Sequence, residues 1–164
     1  AAASFVGDQV APVRLLVGHS LGGATVLAAA GRLDAVRGVA TIAAPFDPGH
    51  VTGLLAPARA ELASAGEAEV TIAGRVFRVR QDVVDELADQ PQRDRISALR
   101  RALIVLHSPT DTVVGIEHAE EIFSAARHPK SFVSLPGADH LLTNPEDAEY
   151  AADVIAAWAT RYLA

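Results

Sequence analysis

The sequence of 164 residues contains no cysteine. Disulfide frameworks, thiolate metal sites and cysteine nucleophiles are therefore excluded within this chain. Basic residues are also few, since 14 lysines and arginines stand against 20 aspartates and glutamates, for a formal net charge of −6. Nucleic acids and anionic membrane surfaces both favour clustered positive charge, so we expect neither as a partner.

Long apolar runs and methionine are missing as well. Prolines, glycines and charges are spread along the chain, and no stretch is long enough to span a bilayer. The first twelve residues have no basic segment followed by an apolar block, which excludes a signal peptide there. Together with the lack of cysteine, this predicts a cytoplasmic protein. Without methionine the chain has no start residue, so we expect either a processed chain or a piece of a longer protein.

Half of the residues are hydrophobic and 21% are charged, which is typical of one globular domain with an apolar core. Four short apolar segments predict buried strands, and the segments between them predict helices. This alternation predicts an α/β fold with a parallel sheet. The predicted strands are residues 13–17, 36–44, 102–107 and 131–135, and the predicted helices are residues 21–32, 115–126 and 145–163.

Residues 46–101 interrupt the alternation within the domain of residues 1–164. A helix over 50–64, a β-hairpin over 69–80 turning at Gly74, and two polar helices over 81–101 separated at Pro91 are predicted here. Such a long connection is usually functional. One interpretation is a cap over the carboxyl ends of the strands. The other is a packed peripheral subdomain whose apolar residues form its own core. The cap interpretation offers an apolar substrate-binding surface of Phe46, Val51, Leu54 and Leu55.

The segment Gly18-His19-Ser20-Leu21-Gly22 matches G-x-S-x-G between a predicted strand and a predicted helix. The motif predicts a sharp turn that exposes Ser20. Exposure matters because a serine hydroxyl becomes a useful nucleophile only beside a base. We expect Gly18 and Gly22 to allow close approach of strand and helix where a Cβ would clash. The backbone N–H of Leu21 is the expected oxyanion donor, and His19 is expected to pack or hydrogen-bond near the turn.

Two further loops supply an acid and a base in the order that accompanies this motif. Asp111 follows the third predicted strand and His140 follows the fourth. We predict that His140 takes the proton of Ser20 and that Asp111 orients the imidazole. Loop organisation by Asp111 and simple packing of His140 remain open as alternatives, and Asp139 is a rival acid.

The remaining histidines suggest structural roles rather than chemistry. His107 ends a strand and His118 lies on a predicted helix. The six histidines of the chain show no metal-ligand spacing with nearby carboxylates. We therefore predict no metal site and no cofactor.

The segments LLVGHSLGGATVLAAA, HSPTD and GADH resemble those of α/β-hydrolases of the esterase, lipase and serine-aminopeptidase-like group. The resemblance implies the C-terminal part of the parallel-sheet α/β-hydrolase fold, with earlier strands and the second oxyanion donor outside this chain. The segments TIAAPFDPGHV and AARHPKSFVSLPGADHLLT resemble the hydrolase half of bacterial proteins in which such a domain precedes an OsmC-type domain. That likeness implies a covalently fused OsmC-type domain after Ala164.

The predicted function is a serine hydrolase that cleaves ester, thioester or amide bonds of a small acyl substrate through an acyl-enzyme. A non-catalytic regulatory or interaction half of a peroxide-defence fusion protein stays open, because fold alone does not establish function. Acyl transfer or another reaction on the same fold, such as a cofactor-free lyase or a haloperoxidase-like reaction, also stays open.

Overall fold

The computed structural model describes residues 2–49, 52–53, 55–72, 74–87 and 90–163. The chain divides into two compact units, which we call the sheet unit (Ala1–Phe46 with Gln92–Ala164) and the hairpin unit (Asp47–Pro91). In chain order the elements are α1 (Ala2–Gln9), β1 (Leu15–His19), α2 (Leu21–Ala30), β2 (Gly38–Ile42), a 3₁₀ helix (Ala56–Ala58), α3 (Arg59–Ala65), β3 (Glu67–Ile72), β4 (Arg75–Arg80), α4 (Gln81–Leu87), α5 (Gln92–Ser97), β5 (Ala102–His107), α6 (Ile116–Ala125), β6 (Lys130–Ser134) and α7 (Pro145–Leu163).

The described residues of the sheet unit form four parallel strands in the order β1-β2-β5-β6. The predicted parallel α/β architecture is therefore confirmed. β1 begins two residues later than the predicted strand, because Leu15 pairs with Gly38 and His19 pairs with Ile42 at the two ends of the ladder. Helix α1 was not predicted, and it buries no residue of its own.

The sheet of this unit carries apolar residues on both faces, since neighbouring strand residues point to opposite sides. One face packs against α2, α5 and α6, and the other packs against α7. None of the described helices is both long and apolar enough to cross a bilayer. The first face includes Val39, Leu103 and Val105 with Leu27, Ile96 and Ile122 from the helices, and the second includes Ala40, Ile104 and Leu106 with Ala151 and Ile155 from α7.

The hairpin unit has a small core of its own. The predicted hairpin is confirmed: β3 and β4 pair antiparallel, and Gly74 lies in the turn with φ of 76°, a value that glycine adopts without steric cost. The unit ends sooner than the predicted 46–101 insertion, because Ile96 and Leu99 belong to the core of the sheet unit. A cap role for the hairpin unit stays a prediction. Its buried core consists of Leu55, Ala58, Leu62, Ala68 and Val70.

The chain leaves the sheet unit at Phe46 and returns to it at Gln92, and both points are anchored within that unit. The backbone N–H of Phe46 donates to Nδ1 of His118 at 3.2 Å. The side-chain amide of the buried Gln92 donates to the carbonyl oxygen of Ala24 at 2.9 Å. The guanidinium carbon of Arg93 lies 4.8 Å from the centre of the Phe46 ring. The exit and the return are therefore neighbours in space.

Candidate active site

Ser20 occupies the turn between β1 and α2, with φ of 52° and ψ of −128°. A non-glycine residue with positive φ is uncommon and strained, at a cost of about 1–3 kcal/mol. The backbone N–H of Ser20 donates to the carbonyl oxygen of Ile42 at 2.8 Å, which ties the turn to the neighbouring strand. The sharp turn predicted from G-x-S-x-G is thus present, with a strained backbone at the half-buried Ser20, and such strain concentrates at functional sites.

The glycines of this turn have unequal roles. A Cβ on Gly18 would lie 2.3 Å from the carbonyl oxygen of Gly22, so the predicted close approach holds at Gly18. The same expectation for Gly22 is wrong, because a Cβ there meets nothing within 4 Å. The crowding arises from the backbone of Gly22 rather than from the space around its own Cα. Gly23, for which no restriction was predicted, is the second restricted position, since an added Cβ would lie 2.5 Å from the Cβ of Ala44.

The loops after β5 and β6 bring Asp111 and His140 to Ser20. Nε2 of His140 lies 3.0 Å from Oγ of Ser20, and Nδ1 lies 2.8 Å from Oδ2 of Asp111. A carboxylate oxygen only accepts, so Nδ1 carries the hydrogen and Nε2 is left to accept from the serine hydroxyl. His140 and Asp111 are both buried. The three residues predicted from the sequence therefore form one hydrogen-bonded chain.

The carboxylate of Asp111 is held by more than His140. The backbone N–H groups of Val113 and Val114 donate to its Oδ1 at 2.8 and 3.0 Å. Burial by itself raises the pKa of Asp111, but the hydrogen bonds from His140, Val114 and Val113 outweigh that effect and lower the pKa below its ordinary value. An ionised carboxylate next to Nδ1 stabilises a positively charged imidazole.

Asp139, the rival acid, has a different task. Its Oδ1 accepts from the backbone N–H groups of Leu141 and Thr143, and its Oδ2 accepts from the hydroxyl of Thr143. The hydrogen bonds of the Thr143 hydroxyl and N–H hold the pKa of this exposed carboxyl below its ordinary value. Asp139 thus shapes the loop that carries His140, while the imidazole is bonded to Asp111.

His19 packs and hydrogen-bonds beside the turn, as predicted. Its Nε2 lies 2.7 Å from the backbone carbonyl oxygen of His140, and the two imidazole rings have centres 5.1 Å apart. Since a carbonyl oxygen only accepts, Nε2 of His19 is the donor. Leu21 is the first residue of α2, so its backbone N–H has no acceptor within the helix. That N–H is the donor predicted for an oxyanion.

Two of the four residues of the predicted substrate-binding surface, Phe46 and Leu55, lie in the described part of the chain. Leu55 is buried in the core of the hairpin unit, so the sequence interpretation of Leu55 as a substrate contact is wrong and the packed-core alternative holds for it. Phe46 is partly buried against the core of the sheet unit. Val51 and Leu54 lie outside the described residues. Among the described residues, no group of three or more histidines and carboxylates has the geometry of a metal site.

One residue near the site was not predicted to matter. His107 ends β5 with its side chain wholly buried, and its Nε2 lies 2.8 Å from the carbonyl oxygen of Val114 and 3.7 Å from Oδ2 of Asp111. The sequence offered one signal, a histidine at a strand end four residues before Asp111. That spacing alone does not distinguish a core histidine from one that contacts the acid loop.

The sequence model of the alpha/beta hydrolase family matches residues 1–156 of this chain. The chain belongs to the α/β-hydrolase family. The esterase domain of a Rhodothermus marinus protein is 51% identical, with a TM-score of 0.89 over 100% of this chain and 68% of that one. No curated protein matches the chain significantly.

More distant α/β-hydrolases share the fold. A putative hydrolase from Agrobacterium vitis S4 is 23% identical, with a TM-score of 0.71 over 93% of this chain and 64% of that one. A monoacylglycerol lipase from Paleococcus ferrophilus is 18% identical, with a TM-score of 0.68 over 93% of this chain and 70% of that one. The chain thus spans roughly two thirds of the length of these solved structures. It has the α/β-hydrolase fold, and family membership points to hydrolase activity.

Proposed function

We propose that this chain carries the catalytic triad of a serine esterase, with Ser20 as nucleophile, His140 as general base and Asp111 as the acid that orients it. The observation that carries the proposal is the continuous hydrogen-bonded chain from Oγ of Ser20 through His140 to Asp111, at 3.0 and 2.8 Å. Ester bonds are the proposed substrate class because a 51% identical relative is an esterase domain. Thioesters and amides use the same chemistry.

The first half of the proposed reaction forms an acyl-enzyme. Oγ of Ser20 attacks the ester carbonyl carbon while its proton passes to Nε2 of His140. The carbonyl π electrons move onto the oxygen, which accepts a hydrogen bond from the N–H of Leu21. The tetrahedral intermediate collapses, the C–O bond to the alcohol breaks, and His140 returns the proton to the leaving alcohol. Asp111 stabilises the imidazolium throughout, because its carboxylate accepts from Nδ1.

The second half releases the acid. A water molecule gives a proton to Nε2 of His140 and its oxygen attacks the acyl carbon. Collapse of the second tetrahedral intermediate breaks the bond to Oγ, and His140 returns the proton to Ser20. Helix α2 begins at Leu21, so its positive dipole end lies beside Ser20. This dipole favours the transient negative charge on the carbonyl oxygen of each tetrahedral intermediate.

Covalent labelling with a fluorophosphonate probe tests the proposal. The protein as its gene encodes it is compared with Ser20→Ala, and both are checked for folding by circular dichroism. We expect labelling and hydrolysis of p-nitrophenyl acetate in the first, and loss of both in the second. A folded protein that neither labels nor turns over esters would point instead to a regulatory or interaction role. Product analysis with added alcohol distinguishes hydrolysis from acyl transfer.

A further inference from the structure

His107 presents an unusual combination of burial and hydrogen bonding. The residue ends β5 and its side chain is 0% exposed. Nε2 lies 2.8 Å from the carbonyl oxygen of Val114, seven residues along the chain. Because a carbonyl oxygen only accepts, the ring hydrogen is on Nε2. In the described part of the chain Nδ1 has no hydrogen-bond partner. Burying Nδ1 without a partner is unfavourable. A histidine at this position therefore calls for an explanation, and the hydrogen bond made by its Nε2 offers one.

Val114 connects this contact to the proposed acid. Its N–H donates to Oδ1 of Asp111 at 3.0 Å, while its carbonyl oxygen accepts from His107. The loop from Asp111 to Val114 is therefore held from both sides, by its own carboxylate and by an imidazole from the end of the strand. Nε2 of His107 is also 3.7 Å from Oδ2 of Asp111, the oxygen that accepts from His140.

We propose that His107 is a positioning residue for the reaction, acting by donating its Nε2–H to the Val114 carbonyl and so aiming the Asp111 carboxylate at His140. This inference rests on the triad of the proposed function. His107 contacts no reacting atom, and its effect passes through Val114 and Asp111. The rival explanation is that His107 fills the core and that any side chain of similar volume would serve.

Three substitutions at this position separate the two explanations. His107→Gln can place an amide N–H near the position of Nε2, whereas His107→Asn has the same chemistry on a side chain too short to reach Val114. His107→Leu has a side chain of similar volume and removes the hydrogen-bond donor. Each variant is made in the protein as its gene encodes it, and its thermal unfolding midpoint is recorded. The readouts are kcat and KM for p-nitrophenyl acetate and the downfield proton resonance of the His140 Nδ1–H bonded to Asp111.

Positioning predicts that His107→Asn and His107→Leu lower kcat by up to about 100-fold with little change in KM, because small misplacements of catalytic groups have effects of that order. The His140 resonance is displaced in both, and His107→Gln recovers most of the rate and the wild-type resonance. Wild-type values in all three variants would overturn the proposal. So would an equal loss in all three, since a glutamine donor would then have no benefit.

Two further results keep the test decisive if the shorter or apolar variants do not fold. Nitrogen-15 spectra of the wild-type protein should show the hydrogen of His107 on Nε2, and finding it on Nδ1 would overturn the proposal. A folded His107→Gln protein with a displaced His140 resonance would do the same. Failure of the triad itself looks different: wild-type protein would not react with a fluorophosphonate, while the His140 resonance would still respond to the substitutions at His107.

Discussion

Replacing Asp111 with asparagine keeps the shape of the side chain while removing its charge and one of its acceptor oxygens. In the wild-type site Oδ1 accepts two backbone N–H groups and Oδ2 accepts from His140. Asparagine offers one oxygen and one NH₂ group. Turning the NH₂ toward the backbone would leave the N–H groups of Val113 and Val114 without an acceptor, at about 1–3 kcal/mol each. The oxygen therefore stays with the backbone and the NH₂ faces His140.

That orientation forces the wrong tautomer on the imidazole. Nδ1 must accept from the asparagine NH₂, so the hydrogen moves to Nε2, which can no longer take the proton of Ser20. We expect Asp111→Asn to lower kcat for p-nitrophenyl acetate by about 10⁴-fold, or about 5 kcal/mol of transition-state stabilisation, as such a change does in a serine protease triad. The loss of unfolding free energy should be far smaller than this loss of transition-state stabilisation, because the hydrogen bonds from Val113 and Val114 are both kept.

Asp139→Asn is the matched control, since it makes the same chemical change on the residue beside His140. Asp139 bonds to Leu141 and Thr143, so its replacement should leave kcat within about one order of magnitude, the scale of losing a peripheral hydrogen bond. Comparable losses in the two variants would refute the assignment of the acid. A decrease of only a few-fold in Asp111→Asn would refute the tautomer argument.

Three further predictions concern stability and the shape of the turn. Ser20→Gly should be more stable than Ser20→Ala by about 0.5–2 kcal/mol in urea unfolding, because relief of about 1–3 kcal/mol of strain exceeds the entropy lost with glycine. A glycine variant that is less stable than the alanine variant would show that φ of 52° is not strained. Gly18→Ala should destabilise by about 1–3 kcal/mol through overpacking, whereas Gly22→Ala should be neutral or stabilising by up to about 1 kcal/mol in the open helical position. A reversed order would contradict the packing described. Because the folded-state pKa of Asp111 is lowered, its contribution to stability is complete above the ordinary carboxyl pKa and is lost as the pH falls through the folded-state pKa. The difference in unfolding free energy between wild type and Asp111→Asn should therefore shrink at acid pH. A difference that grows there would contradict the lowered pKa.

The sequence was sufficient for the parallel α/β fold and for the convergence of Ser20, Asp111 and His140. Both follow from local patterns, since each strand is a short apolar run and each residue of the proposed triad lies just after the end of one. Carboxyl ends of parallel strands share an edge, so three loops meet without knowledge of side-chain packing. Ser20 also lies in a motif whose geometry is set by its own backbone.

What the sequence did not reveal depends on contacts between distant segments. The expectation at Gly22 was wrong because the motif does not show whose Cβ points into the crowded space, and Gly23 takes the role through Ala44. Leu55 was assigned to substrate although it packs with Leu62 and Val70. Apolar residues in a predicted cap have the same pattern whether they face a ligand or each other. The fused OsmC-type domain and the cytoplasmic location stay predictions.

The contact between the ring of Phe46 and the guanidinium of Arg93 has a consequence for protein engineering. The backbone departs from the sheet unit and comes back at neighbouring points, each with its own hydrogen bond to that unit. Insertions with closely spaced, independently anchored ends are the ones that domains tolerate best. Residues 47–91 are therefore a compact segment that is suited to exchange as a whole. A segment from another family member can be grafted between Phe46 and Gln92 while the strands that precede Ser20, Asp111 and His140 keep their register.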